Sequence, residues 1–230
     1  MAILLSLETS SRVCSVALHI EDRILAISEI HQDQAHASKL AGLIEQIVKT
    51  SGIDLHQVSA VAIASGPGSY TGLRIGTSTA KGLCYALNIP LIAVTSLEVM
   101  AARVNSFNLS RYTVCPMIDA RRMEVYCCMI DAGGRMISPV EAKIIDEVSF
   151  QAELESGPIL FFGDGSDKCK PVIKHDNAFF VEGVYASAGE LGTIAGRSFV
   201  RNEFVDLTSF EPFYLKEFRI KSPAKAAKLE

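Results

Sequence analysis

Residues 3–30 read "ILLSLETSSRVCSVALHIEDRILAISEI", and the reading of this stretch decides the fold. An apolar run ends at Glu8, and polar residues turn the chain. Alternation then resumes, with Cys14, Val16 and Leu18 facing one way. "EDR" makes a second turn and "ILAISEI" a third strand, so the stretch is a meander with a carboxylate at its first tip.

Residues 112–140, "YTVCPMIDARRMEVYCCMIDAGGRMISPV", repeat that plan. Asp119 ends the first strand, "ARR" turns, "MEVYCCMI" alternates, "DAGG" turns and "RMISPV" follows as a third strand. Laying Glu8 on Asp119 brings Leu7 onto Ile118, Val16 onto Cys127 and Leu18 onto Met129. Self-similarity over half a chain marks a duplicated domain, although two common hairpins can also coincide. Between the repeats, Leu40, Leu43, Ile44, Ile47 and Val48 share one helix face, closed by Gly52. "VSAVAIA" is a buried strand, "LRIGTSTAKGLCYAL" a helix and "IPLIAVTS" the next strand. In the second half "GPILFFGDG" is a strand running into a glycine turn, "SAGELGTIAGRSFV" a late helix and "FEPFYLKEF" an extended segment. The expected fold is α/β, with two related halves of mixed sheets flanked by helices. The division falls near residue 105, giving 1–104 and 105–230, with the late helix and terminal segment candidates to return to the first half.

The chain has 230 residues, 49% of them hydrophobic and 21% charged, enough for a sizeable buried core. A net charge of −4 argues against a stand-alone nucleic-acid binder. Cys14, Cys84, Cys115, Cys127, Cys128 and Cys169 show no metal-ligand spacing and read as reduced, buried thiols. The opening "MAILLSLETSS" has no basic n-region, and no apolar run approaches the length of a membrane span. A cytoplasmic protein is expected.

"SGPGSYTGLRIG", Ser65 to Gly76, stands between a strand and a helix, where many proteins cradle phosphate. It is not a P-loop, since no Gly-Lys-Ser/Thr follows, and Pro67 removes a backbone donor. A turn with a helix cap is the simpler reading. Gly72, Gly76, Ala80 and Cys84 then recur every fourth position, a stripe that admits another backbone, from the same fold or from a partner. Direct ligand contact stays open. Arg74 lies in the first helical turn, where the dipole disfavours a cation, so it is expected to have a carboxylate or phosphate partner or to be solvated.

Glu8 and Asp119 are the other candidates. In a duplicated fold, equivalent hairpins face each other across a cleft. Acids at their tips could position a metal–phosphate group, with Thr9, Ser10, Arg121 and Arg122 beside them. Acids at strand ends are also common turn formers. Gly163 and Gly165 could let an adenosine approach the second half. His31 and His36 are poorly spaced for a metal pair, and no nucleophile stands out.

The stretch "SGPGSYTGLRIG", with "LLSLETSS...SVAL" and "DARRMEVY", closely resembles the bacterial TsaB (YeaZ) family, most specifically over residues 1–130. The resemblance implies the duplicated fold of actin, Hsp70 and sugar kinases (the ASKHA fold). It implies a role in forming N6-threonylcarbamoyladenosine in tRNA, beside the anticodon, from threonylcarbamoyl-AMP. It also implies pairing with the catalytic paralogue TsaD, with the ATPase TsaE joining, through first-domain helices. The implied contact residues are His36, Leu40, Leu43, Ile47, Tyr70, Thr71, Gly72, Arg74, Gly76 and Ala80, and a homodimer is an option for the isolated chain. The metal-binding histidines of TsaD-like proteins match Ser96 and Met100 here, both poor ligands for a hard cation. The chain is therefore expected to be non-catalytic, to need no cofactor of its own and to meet tRNA only through the complex. ATP/ADP and a divalent metal would belong to its partners. Glu8 also departs from the family's usual aspartate, so the nucleotide cleft formed by Glu8, Thr9, Ser10, Asp119, Arg121, Gly163 and Gly165 is expected to be vestigial. The alternative is a small-molecule kinase or ATPase using Glu8 and Asp119. A basic tail, Lys216 to Lys228, is a further candidate for phosphate contact.

Overall fold

The structure, a computed structural model, describes residues 1–32 and 36–215; the basic tail lies outside them. Alternating apolar residues build β1 (Ile3–Glu8), β2 (Val13–Ile20) and β3 (Arg23–His31), an antiparallel meander. α1 (His36–Ser51) then leads to β4 (Ala60–Ala64), α2 (Tyr70–Leu87), β5 (Leu91–Val94) and α3 (Ser96–Asn105). β4 pairs parallel with β1, and β5 with β4, so the first sheet runs β3-β2-β1-β4-β5.

The second half repeats the order. It contains β6 (Thr113–Asp119), β7 (Glu124–Cys127), β8 (Glu141–Ile144), α4 (Gln151–Ser156), β9 (Ile159–Phe162), β10 (Ala178–Val181) and α5 (Ala188–Val200). Its sheet, β8-β7-β6-β9-β10, has the strand order of the first, antiparallel and parallel pairs in the same places. Two mixed sheets flanked by helices thus form the duplicated ASKHA architecture. "RMISPV" is not the third strand: only a bridge at Met136 forms there, and β8 starts beyond Pro139, which has no N–H to give a ladder.

The register of the repeat differs from the expected one by one residue. Leu7 pairs with Val16, and its equivalent pair is Met117 with Cys127, not Ile118 with Cys127. Leu7 and Met117 both lie in outer cores, beneath helices or loops of their own halves, whereas Ile118 lies in the central core between the sheets. Glu8 therefore matches Ile118, and Asp119 matches Thr9. A one-residue slip exchanges the two faces of a strand.

The last helix of each half crosses over. α3 packs on β6 of the second sheet, α5 packs on β1 and β2 of the first, and the two helices pack on each other. Together they fill the central core with Leu97, Met100, Val104, Leu191 and Ala195. Beyond α5 the chain stays with the first half: Val205 bridges Leu91, and Lys81 Nζ donates to the carbonyls of Thr208 and Phe210. A cut near residue 105 separates the sheets but not these helices. Among the described residues no helix is long and apolar enough to cross a membrane. All six cysteines are free and buried.

Candidate functional site: the glycine turn and the cleft

The glycine turn is occupied by the chain itself. Ser69 caps α2, its hydroxyl accepting from Gly72 N at 3.3 Å. Ser69 N donates to Ser10 O (2.7 Å), Phe213 N to Ser65 O (2.7 Å) and Ser96 N to Gly66 O (3.0 Å). A Cβ at Gly68 would collide with Ser10 O, at Gly72 with Thr9 O, and at Gly76 with Thr9 Oγ1. The glycines thus admit the β1–β2 loop, not a second helix, and Thr9 closes the contact by donating to Gly72 O at 2.8 Å.

This corrects the expected contact face. His36, Leu40, Leu43, Ile47, Gly72, Gly76 and Ala80 are buried inside the chain. Leu40, Leu43, Ile47 and Ala80 pack with Leu5, Leu7 and Val16 in the outer core, and His36 Nε2 lies 2.8 Å from Ser11 O. Helical periodicity marks the face that is buried, and here the protein's own sheet buries it. Thr71 and Arg74 are exposed and Tyr70 is half-buried. The Arg74 guanidinium stands 4.7 Å from the Tyr70 ring centre, so its partner is an aromatic face rather than an anion. The outward face of α1 and α2 carries Ala37, Ala41, Gly42, Ser78, Gly82, Tyr85 and Ala86. At Gly42 and Gly82 an added Cβ would meet nothing within 4 Å.

Between the halves lies a cleft of about 690 Å³, lined among others by Ser10, Ser11, Arg12, His31, Met100, Asp119, Gly163, Asp164, Asp167 and Tyr185. Of the expected cleft residues it brings together Ser10, Asp119 and Gly163. Asp119 accepts from Arg121 N (2.9 Å), pairs with Lys168 Nζ and donates its own N–H to Asp164 Oδ1 (3.0 Å). Arg121 is exposed at the hairpin tip, with φ 68°. Gly163, at φ 98°, brings its backbone against Met117 O, and a Cβ at Gly165 would stand 2.8 Å from the Ile118 carbonyl carbon. These two glycines let the turn after β9 approach the end of β6.

Glu8 is not a cleft residue. It is fully buried, on the sheet face shared by its cross-strand partner Ser15 and by Glu29. Glu8 Oε1 accepts from Ser10 N and Ser10 Oγ, each at 2.6 Å, while Oε2 has no partner among the described residues. Burial pushes its carboxyl up to about 7, against the pull of the Ser10 hydroxyl and amide, and Glu29 raises it further. Ser15 accepts from Ala188 N (3.0 Å), and Ser187 Oγ donates to Glu29, so this seam seats the start of α5. His19 continues it: Nε2 lies 2.9 Å from Gly189 O, the ring abuts Gly192, and burial lowers its basicity. Glu8 and Asp119 therefore do not face each other across the cleft.

Ser96 opens α3 fully buried, and Met100 forms part of the cleft wall. Among the described residues no group of three or more His, Cys, Asp or Glu is placed to hold a metal ion. His31 and Tyr185, in edge contact at 4.6 Å, carried no sequence signal, because they meet only when the halves close. Arg12 and Asp164 stood inside quoted stretches, where the polar loop and "GDG" could have pointed to them.

The family model "TsaD: tRNA N6-adenosine threonylcarbamoyltransferase" matches residues 23–228. The chain is similar to the tRNA threonylcarbamoyladenosine biosynthesis protein TsaB of Haemophilus influenzae, 38% identical over 123 residues. That match covers 54% of this chain and 51% of the relative, so the chain spans about half the length of that protein. TsaB of Escherichia coli is 29% identical over 219 residues, covering 93% of this chain and 94% of the relative. The solved structure of YeaZ from Pseudomonas aeruginosa superposes with a TM-score of 0.82 at 28% identity, over 94% of this chain and 100% of that one.

Proposed function

Because the chain belongs to the TsaB family of tRNA threonylcarbamoyladenosine biosynthesis proteins, we propose that it is the non-catalytic pairing subunit of the machinery that makes this modification. In this reading a TsaD-like paralogue transfers the threonylcarbamoyl group from threonylcarbamoyl-AMP to N6 of the adenosine beside the anticodon. A TsaE-like ATPase joins the pair, tRNA meets this chain only within the complex, and nucleotide and divalent metal belong to the partners. The setting is the cytoplasm.

The observation that carries the pairing role is the outward face of α1 and α2. A glycine inside a helix costs roughly 1 kcal/mol relative to alanine. At Gly42 and Gly82 nothing in the chain occupies the space a methyl group would take. Small residues around them, with Tyr85 standing out at 84% exposure, suit close approach by a partner's helix. The non-catalytic role is supported by Ser96 and Met100, at the positions where the resemblance places the paralogue's metal ligands. The kinase alternative has against it the burial of Glu8, which leaves Asp119 without a facing acid.

The test is threonylcarbamoyladenosine formation on unmodified tRNA. The reaction contains the purified paralogue, the ATPase, threonylcarbamoyl-AMP and ATP, with and without this chain. Product should require the chain, survive Asp119→Ala and vanish with Gly82→Leu as co-elution with the paralogue is lost. Loss of product in Asp119→Ala with the complex intact would sink the non-catalytic reading.

A further inference from the structure

The first sheet has two outer strands, and the chain treats them differently. At β5 the terminal segment lies alongside, Val205 N donating to Leu91 O at 3.0 Å. At β3 no described segment pairs with the outer edge, although the strand runs nine residues, from Arg23 to His31. Natural edge strands are guarded by proline, lysine, shortness or bulges. This one has no proline or lysine, and its single irregularity lies near Leu25, opposite Leu18 and His19. Three large apolar side chains cluster along it: Ile24 is 51% exposed, Leu25 42% and Ile27 45%.

We infer that β3 is a pairing edge for a second copy of this chain, joined antiparallel about Ala26 so that the two first sheets become one. The charge pattern selects this occupant. Antiparallel pairing about Ala26 sets Arg23 of each copy opposite Glu29 of the other, at both ends of the ladder. Leu25 then falls opposite Ile27, and the small Ala26 sits on the two-fold axis. Opposite charges and apolar pairs directly across a ladder stabilise it, and like charges do the reverse. A two-fold contact of this kind uses one patch on both copies and closes on itself. It leaves the outward face of α1 and α2 free, so it is a second surface, independent of the pairing role proposed above.

Sedimentation of the full chain at about 100 µM should give a dimer. Ile27→Lys, which places a cation on each side of the ladder, should give a monomer with unchanged circular dichroism. Arg23→Glu, on an exposed residue, should weaken the dimer at least tenfold and bring back salt-dependent association. Ala26→Cys should form a covalent dimer under mild oxidation, against a low background because the native thiols are buried, whereas Ser78→Cys on the outward face of α2 should not. A monomeric wild-type chain, a dimer that persists in both Ile27→Lys and Arg23→Glu, or cross-linking through Ser78→Cys alone would overturn the proposal.

Discussion

Thr9 and Gly76 share one position in space: the Thr9 hydroxyl occupies the volume that any side chain at Gly76 would need. The same hydroxyl donates to Gly72 O, so the loop after β1 is keyed into the first turns of α2. Gly76→Leu should therefore damage the fold itself rather than only an association. Overpacking of this kind costs typically about 1–3 kcal/mol, and more where backbone must move. Urea unfolding of the isolated chain should show the loss, and a variant as stable as wild type would contradict the contact.

Gly42 and Gly82 should behave in the opposite way. Alanine at either position should stabilise the isolated chain by about 0.5–1 kcal/mol, through helix propensity alone. The expected readout is a rise in Tm, together with weaker binding to the paralogue if the outward face is the pairing surface. A fall in Tm would mean that this face is packed.

Glu8 gives the chain an unusual pH dependence. Its carboxyl titrates near 7 when folded and near the model-peptide value of 4.5 when unfolded. Between these values the folded state holds the extra proton. Stability contributed by the neutral form is full below about 4.5 and is lost as pH rises through 7. The shift corresponds to a loss on the order of 3 kcal/mol. Unfolding measured from pH 5 to pH 8.5 should show this slope, and Glu8→Gln should flatten it and be the more stable protein at pH 8.

His19 pulls the other way. Burial lowers its pKa from 6.5, so stability is lost as pH falls below that unfolded value, where the unfolded chain takes up the proton first. His19→Gln should remove the acid limb of the profile while leaving the alkaline limb to Glu8. If the acid limb persists in His19→Gln, another group sets it.

Gly192→Ala should unseat α5, because the new methyl group would collide with the His19 ring. Hydrogen exchange should accelerate along α5 and in β1 and β2 beneath it. Unchanged protection there would contradict the close seat.

The duplication was legible because strand alternation survives in both meanders, and the two sheets have the expected order. Its register was not. Leu7 and Ile118 are both apolar strand residues, and only burial on opposite faces tells that Leu7 matches Met117. That slip also made Glu8 and Asp119 look like a facing pair. The contact face was misread for a related reason. The spacing of Leu40, Leu43 and Ile47 reports that a helix face is covered but not by what. Gly72 and Gly76 show a close approach, yet Thr9 and Ser10, far away in sequence, are what approaches. The cleft was visible in part, at Ser10, Asp119 and Gly163. Tyr185 and His31 come from strands and loops of different halves, and no local pattern unites them.

The crossing of α3 and α5 sets an order on the birth of the molecule. A ribosome delivers β1 to β5 first, yet the seam of Ser15, His19 and Glu29 is seated only by residues 187–192, made more than a hundred positions later. Until then one face of the first sheet has no permanent cover, and long-range closure of this kind is slow. The nascent first half is thus a debtor to the last helix, and a chain released before residue 188 would carry that open face into the cell.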